Sequence, residues 1–202
     1  DLVRSRGLGD VYKRQEFQLP YGFMLSVGAM YTRDIYNVVQ KNMNEKAPSG
    51  TYNEQPGRVY WTKNNYYDNP KTKTVIQLTN GDEKGYQYSF NAVLTKKFDF
   101  GFTGSFGYTY TMAKDMTANP GSSAASVWQN NVAVNSLNDP GVSYSLFSTP
   151  HRLIANASYE VAYANMKTTV SLFYTGYQQG RFSYTYSNDM NGDGNYSDLM
   201  DV

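Results

Sequence analysis

The 202-residue sequence contains no cysteine, a single histidine and little charge. Without cysteine there are no thiol nucleophiles, disulfide frameworks or zinc knuckles, and one histidine leaves most histidine-based catalytic and metal centres without their parts. Charged residues make up 17% of the chain, against roughly 25% in soluble domains. The 18 Lys and Arg against 17 Asp and Glu form no basic block, so the clustered cations that grip a phosphate backbone are missing and a nucleic-acid partner is excluded. No stretch approaches the roughly 18 to 20 consecutive apolar residues of a spanning helix, and the mean hydropathy is −0.61. What the chain has in excess is aromatic, with 20 Tyr and 10 Phe. A polar average with many aromatics is compatible with a transmembrane β-barrel, whose strands alternate lipid-facing and lumen-facing residues and so hide their hydrophobicity.

Periodicity supports that reading. From Lys84 to Lys97, one face carries Tyr86, Tyr88, Phe90, Ala92, Leu94 and Lys96, with Phe98 next in line, and the other Gln87, Ser89, Asn91, Thr95 and Lys97; this is period two. After Asp99 the alternation resumes, with Phe100, Phe102, Gly104, Phe106, Tyr108, Tyr110 and Met112 against small and hydroxylated residues. Two long strands joined by a turn near Lys97 to Phe100 predict an antiparallel hairpin. A second hairpin is predicted from Phe147 to Gly176, turning around Tyr163 to Asn165, with further alternation at Tyr21 to Arg33 and at Phe182 to Ser187. Val75 to Leu78 reads as an approach into the Lys84 strand. The strands exceed the usual five or six residues and match the roughly 9 to 11 needed to cross a bilayer when tilted.

Connections near Asp99 and Ala164 are short, whereas Asp34 to Lys73 and Asp115 to Ser145 are long, polar and rich in Asn, Gly, Ser and Pro. Short turns alternating with long loops mark an outer-membrane barrel. The fold class expected is therefore all-β: an antiparallel transmembrane β-barrel with long extracellular loops. Only about five or six strands fit, below the eight of the smallest bacterial barrels, which predicts a piece of a larger barrel. Asp1 to Gln15 follows neither period and carries four basic and two acidic residues. Its Asp10-Val11-Tyr12-Lys13-Arg14-Gln15 end resembles a translated sequencing adapter, and residues 1–15 are set apart as an artefact or disordered tail, leaving 16–202 as the partial barrel.

Five segments in order carry a family resemblance: Gly85-Tyr86-Gln87-Tyr88-Ser89-Phe90-Asn91-Ala92, Tyr108-Thr109-Tyr110-Thr111-Met112-Ala113-Lys114-Asp115, Ser126-Val127-Trp128-Gln129-Asn130-Asn131, Pro150-His151-Arg152, and Asp189-Met190-Asn191-Gly192-Asp193-Gly194 with Ser197-Asp198-Leu199. Together they resemble the barrel of TonB-dependent outer-membrane receptors, most closely the Oar-like type of Bacteroidota. The resemblance implies a 22-stranded barrel with an N-terminal plug, located in outer-membrane lipid, energised through TonB, ExbB and ExbD, and admitting a nutrient ligand without chemistry. The plug and TonB box are expected outside this sequence. A passive porin-like barrel and a surface glycan-binding β-sandwich are the alternatives.

Candidate sites are few. Asp189, Asn191, Asp193 and Gly194 match the first half of a calcium loop, D-x-N-x-D-G, with Asp198 nearby, but Met200 occupies the twelfth position, where a bidentate acid is required. A structural calcium is the one cofactor this pattern suggests; a surface turn rich in Asn, Asp and Gly is the simpler and favoured reading. Trp61 and Trp128 lie in loops, where they could stack on a ligand or serve local packing. His151 has no G-x-S-x-G elbow to serve and begins a strand after Pro150, which fits an interfacial ring rather than a catalytic base. No enzymatic activity is expected.

Overall fold

The computed structural model describes residues 7–62, 65–67, 74–119, 121–196 and 198–200. In chain order the strands are β1 (Gly7–Leu19), β2 (Phe23–Tyr36), β3 (Val38–Asn42), β4 (Gly50–Thr51), β5 (Val59–Tyr60), β6 (Ile76–Asn80), β7 (Tyr86–Lys97), β8 (Phe102–Asp115), β9 (Ser143–Tyr144), β10 (His151–Tyr163) and β11 (Met166–Tyr177), with helix α1 (Ala124–Asn130) between β8 and β9. The protein is all-β and antiparallel. Its main sheet runs β1-β2-β7-β8-β10-β11, with β9 adding a short pairing at the end of β8. The six long strands follow one another in chain order, an up-and-down meander. Among the described residues β1 and β11 remain edges, so the sheet is open. Among the described residues no helix is long and apolar enough to cross a membrane.

Residues directly opposite in an antiparallel pair share a face, so the register sorts the sheet. One row crosses Phe17, Leu25, Leu94, Phe106, Ala155 and Tyr174; the next crosses Val27, Ala92, Tyr108 and Leu153. The opposite face carries Thr95, Ser105 and Asn156 in one row and Asn91, Thr109 and Arg152 in another. Here Arg14 donates to Ser26 Oγ at 3.0 Å and pairs with Glu16 at 2.7 Å, and Lys167 pairs with Glu160 at 2.9 Å. Met24, Met30, Val93, Ile154 and Phe173, with the rings of Tyr12 and Tyr177, are apolar side chains on this side. The first face is mostly apolar, broken by Lys13, Gln15, Lys96 and Thr168, and none of the described elements covers it: Phe90 is 54% exposed, Phe106 53% and Leu172 72%.

Aromatic rings gather at both ends of that face. Near the turns, Phe98, Phe100, Phe102 and Tyr159 form a cluster with centroids 5.2 to 6.5 Å apart. Toward the other end, Tyr88 meets Tyr110 at 6.2 Å, and the His151 ring contacts Tyr108 and Tyr110. Phe102 and Tyr110 lie eight positions apart on β8. That is about 27 Å along a strand and about 20 Å along a membrane normal at about 40° of tilt.

The three connections at the turn end are tight. β1 joins β2 through Pro20–Gly22, β7 joins β8 through residues 98–101, and β10 joins β11 through Ala164 and Asn165, with Ala164 at φ 51°. Gly101 adopts φ 92°. Its N–H donates to the Phe98 carbonyl at 3.2 Å and its carbonyl accepts from the Glu160 N–H at 2.9 Å, while a Cβ would run into the Glu160 carbonyl.

Two expectations are corrected, and part of the segment set apart at the start is placed. Residues Gly7 to Gln15 belong to β1 and pair with β2 from Leu8↔Asp34 to Gln15↔Val27; backbone pairing is available to any extended segment, so a strand can continue where side-chain alternation is weak. Residues 1–6 lie outside the described set. The Val75 to Leu78 segment does not lead into the Lys84 strand: β6 pairs with β3 in a separate two-stranded sheet. Phe182 to Ser187 is no strand and holds one bridge, Thr185↔Leu199.

The long connections are folded as well, forming a layer over the other end of the sheet. Trp128, Ala133 and Leu137 form its core with Ile76 packed against them, and Val39, Trp61, Met116 and Val127 are also buried there. Ser123 caps α1 in a reciprocal capping box with Ser126. Asn138 fastens the layer: its Oδ1 accepts from the Asn42 N–H at 2.6 Å and from Trp128 Nε1 at 2.9 Å, and its Nδ2 donates to the Asn42 carbonyl at 3.1 Å. Leaving such buried donors unpaired costs about 1 to 3 kcal/mol each.

The β7–β8 turn gives a first prediction. Gly101→Ala places a side chain in the left-handed region, costing about 1 to 2 kcal/mol, and forces the turn away from Glu160. A urea titration of the folded protein should show a lower midpoint for this variant, and an unchanged midpoint would contradict the turn geometry.

Candidate functional site

The best-built polar site lies in the loop layer, where the segment from Asp189 folds back on itself. Asp189 accepts from two backbone donors, Gly192 N–H at 2.7 Å and Gly194 N–H at 2.9 Å, one on each carboxylate oxygen. Asn191 Oδ1 accepts from the Asp193 N–H at 2.8 Å, and Asp193 Oδ1 from the Asn195 N–H at 2.7 Å. These are successive Asx turns, the local conformation that short acidic and amide side chains favour. Gly192 and Gly194 adopt φ 79° and 87°, and a Cβ on Gly192 would strike the Trp61 carbonyl. Asp198 closes the loop from behind: its Oδ2 accepts from Met190 N–H at 2.8 Å and from Asn191 N–H at 3.4 Å.

Segments distant in sequence hold this loop. The Trp61 N–H donates to the Asn191 carbonyl at 2.7 Å, the Tyr52 hydroxyl to the Met190 carbonyl at 2.8 Å, and Asn191 Nδ2 to the Asn135 carbonyl at 2.9 Å. The Tyr66 hydroxyl donates to the Asp193 carbonyl at 3.1 Å. Arg58 reaches the Leu199 carbonyl through Nη2 and lies over the Tyr186 ring at 5.4 Å. Asn191, Asp193 and Asp198 are consequently buried at 1%, 2% and 4% exposure.

A further acid faces this loop. Glu45, bridged to Tyr66 in the backbone, is 8% exposed, and neither of its carboxylate oxygens has a hydrogen-bond partner. Burial pushes its carboxyl up to about 8, and the Asp193 carboxylate adds to the effect. Asp193 is pushed up to about 6, first by burial and then by Asp198 and Asp189, against the lowering effect of the Asn195 N–H. Asp198 is raised by burial, which outweighs the N–H groups of Met190 and Asn191. The Tyr66 hydroxyl is pushed up to about 12 by burial and by Asp193 and Glu45. Among the described residues, no three His, Cys, Asp or Glu side chains already stand in a metal-holding arrangement.

Thus Asp189, Asn191, Asp193 and Asp198 are brought together, with Asp198 serving as a clamp on the loop's own backbone. Sequence reading missed Glu45, which lies far upstream of the loop and belongs to no motif. The two tryptophans are placed differently from a stacking surface. Trp128 sits on α1 rather than in a loop and is 2% exposed, and Trp61 is 6% exposed; their indole N–H groups donate to Asn138 Oδ1 and to the Lys46 carbonyl. Both serve internal packing. His151 begins β10, and its Nδ1 lies 2.6 Å from the Tyr108 hydroxyl. A groove of about 500 Å³ opens elsewhere in the layer, lined among others by Asn131, Tyr144, Gln178, Arg181 and Phe182, with the Arg181 guanidinium 3.7 Å from the Tyr144 ring centroid. Comparison with protein-family models, curated proteins and solved structures finds no match.

The acidic cluster makes the loop layer sensitive to pH. Asp193 and Glu45 titrate higher in the folded protein than the roughly 4 of an unfolded carboxylate, so folding takes up protons as pH rises above that range. Their contribution to stability is present below about 4 and is lost as pH rises through about 6 for Asp193 and about 8 for Glu45. In chelator-containing buffer, the urea midpoint followed by tryptophan fluorescence should fall from pH 5 to pH 9. Glu45→Gln should flatten the upper part of that fall; a profile unchanged by the substitution would contradict this assignment.

Proposed function

We propose that the six-stranded sheet is part of the wall of a TonB-dependent outer-membrane receptor that takes up a nutrient ligand with energy supplied from the inner membrane. One observation supports the barrel part of this reading: from Phe17 to Tyr174 the sheet presents a mostly apolar face, with exposed rings and aliphatic side chains that none of the described elements covers. A Phe or Leu side chain gains about 1.5 to 3 kcal/mol on leaving water, so a row of them needs an apolar environment. A soluble sandwich meets that need with a second sheet about 10 Å away. Lipid meets it without one.

Three further features support the same environment. The strands run 12 to 14 residues, enough to cross a bilayer when tilted. Aromatic rings stand at both ends of the apolar face, as at the two interfaces of a barrel. All tight turns lie at one end and the folded layer at the other, matching periplasmic turns and outer loops. The two open edges, at β1 and β11, would pair with further strands in a closed wall, since unpaired backbone is not tolerated in lipid.

The receptor part rests on the five-segment resemblance. In this reading the groove beside Arg181 and Tyr144 is where a ligand meets the outer face, and transport proceeds without chemistry. A passive barrel shares the same wall; uptake that survives removal of TonB or collapse of the proton gradient would select it.

The membrane-facing assignment predicts opposite outcomes at adjacent residues. Phe106 lies on the apolar face midway between the two aromatic belts, and Ser105 on the polar face. Phe106→Arg should destabilise folding into lipid by about 2 to 4 kcal/mol, while Ser105→Arg should be near neutral. The measurement is the fraction of protein showing heat-modifiable gel migration after folding into vesicles across a urea series. Equal effects, or a harmless Phe106→Arg, would sink the proposal.

A further inference from the structure

We propose that Glu45 is the missing acidic ligand of a calcium site formed with Asp189, Asn191 and Asp193. The loop has the first three side-chain ligands of a calcium loop at the correct spacing, yet its twelfth residue is Met200, which cannot supply the bidentate carboxylate that completes such a site. Glu45 approaches from a different part of the chain. It is buried, both carboxylate oxygens lack partners, and its bridge partner Tyr66 is bonded to the Asp193 carbonyl. A buried carboxylate with neither oxygen satisfied is costly unless something charged or hydrogen-bonding meets it. The Asp193 carboxylate near it carries the same sign, and the buried amide nitrogens of Asn65 and Asn195 have no partner either, so they do not meet it.

The oxygen-only donor set selects the cation. Carboxylates and a side-chain amide oxygen suit a hard ion that accepts six to eight ligands in flexible geometry, which is calcium rather than a transition metal. Each carboxylate already holding a backbone N–H keeps further lone pairs for a metal. Among the described residues these acids do not already stand as a metal-holding triad, and the Asp193 carboxylate opposes a charge on Glu45. A divalent ion reverses that balance and draws Glu45 onto the loop. The site would tie residues 44–66 to the segment beginning at Asp189, across the loop layer. It holds whether the sheet lies in lipid or not, so its failure would leave the barrel reading standing.

Trp61 supplies a reporter, because its backbone contacts Asn191 and Gly192. The intact protein in detergent is titrated with terbium while tryptophan is excited, and calcium is then added in competition. The expected result is sensitised terbium emission that calcium displaces and magnesium does not. Glu45→Gln should weaken calcium competition at least tenfold, Asp193→Asn should do likewise, and Glu54→Gln, at an exposed acid of the same layer, should leave it unchanged. Glu45→Gln keeps the shape of a side chain that makes no hydrogen bond and so retains the apo fold, which the tryptophan emission spectrum checks. Absence of calcium-displaceable emission in the unsubstituted protein, or wild-type competition in Glu45→Gln, would overturn the proposal.

Discussion

In an antiparallel sheet, residues directly opposite one another share a face, and a shift of one position would turn every side chain over. The rest of this structure depends on that constraint. Six long strands hold one register from Phe17 to Tyr174 across the row containing Leu25, Leu94 and Phe106. The result is one apolar surface and one surface of amides, hydroxyls and paired charges. Neither the loop layer nor the helix covers the apolar surface; their buried residues pack among themselves. The chain therefore has two separate solutions to hydrophobic burial, one internal to the cap and one that its surroundings must supply.

The cap is built on different principles from the wall. It has a small core around Trp128, but much of its order comes from buried polar groups: Asn42 and Asn191 are each 1% exposed. Asn138 satisfies one backbone and one indole donor at once, and the Asx turns after Asp189 satisfy the backbone of a segment without helix or sheet. Such networks specify a unique arrangement when every member is satisfied and are costly where one is not. Satisfaction fails at several buried atoms, and at Glu45 it fails for both carboxylate oxygens, which is why the acidic loop and not the groove holds the sharpest chemical question in the molecule.

The antiparallel sheet was legible from the sequence because period two is a local signal: the hairpin turns at residues 98–101 and at Ala164 lie where the alternation of Tyr, Phe and Thr breaks. The cap was not. Asp34 to Lys73 and Asp115 to Ser145 read as polar loops because their order comes from contacts between distant residues, such as Asn138 with Asn42 and Asn191 with Asn135, which leave no periodic trace. The same reason hid Glu45, and it made Trp61 and Trp128 look available when each indole is enclosed. β1 escaped notice for the opposite reason: an edge strand needs only its backbone to pair, so its side chains need not alternate strictly.

The absence of cysteine allows the central claim, that the apolar face meets lipid, to be tested at single sites. Leu94 lies opposite Phe106, and Thr95 opposite Ser105. Spin labels on single cysteines at these four positions, in protein folded into bilayers, can be probed by collision with oxygen, which concentrates in lipid, and with a water-soluble nickel complex. The account predicts strong oxygen and weak nickel accessibility at positions 94 and 106 and no such oxygen preference at 95 and 105. Equal nickel accessibility on both faces would contradict it.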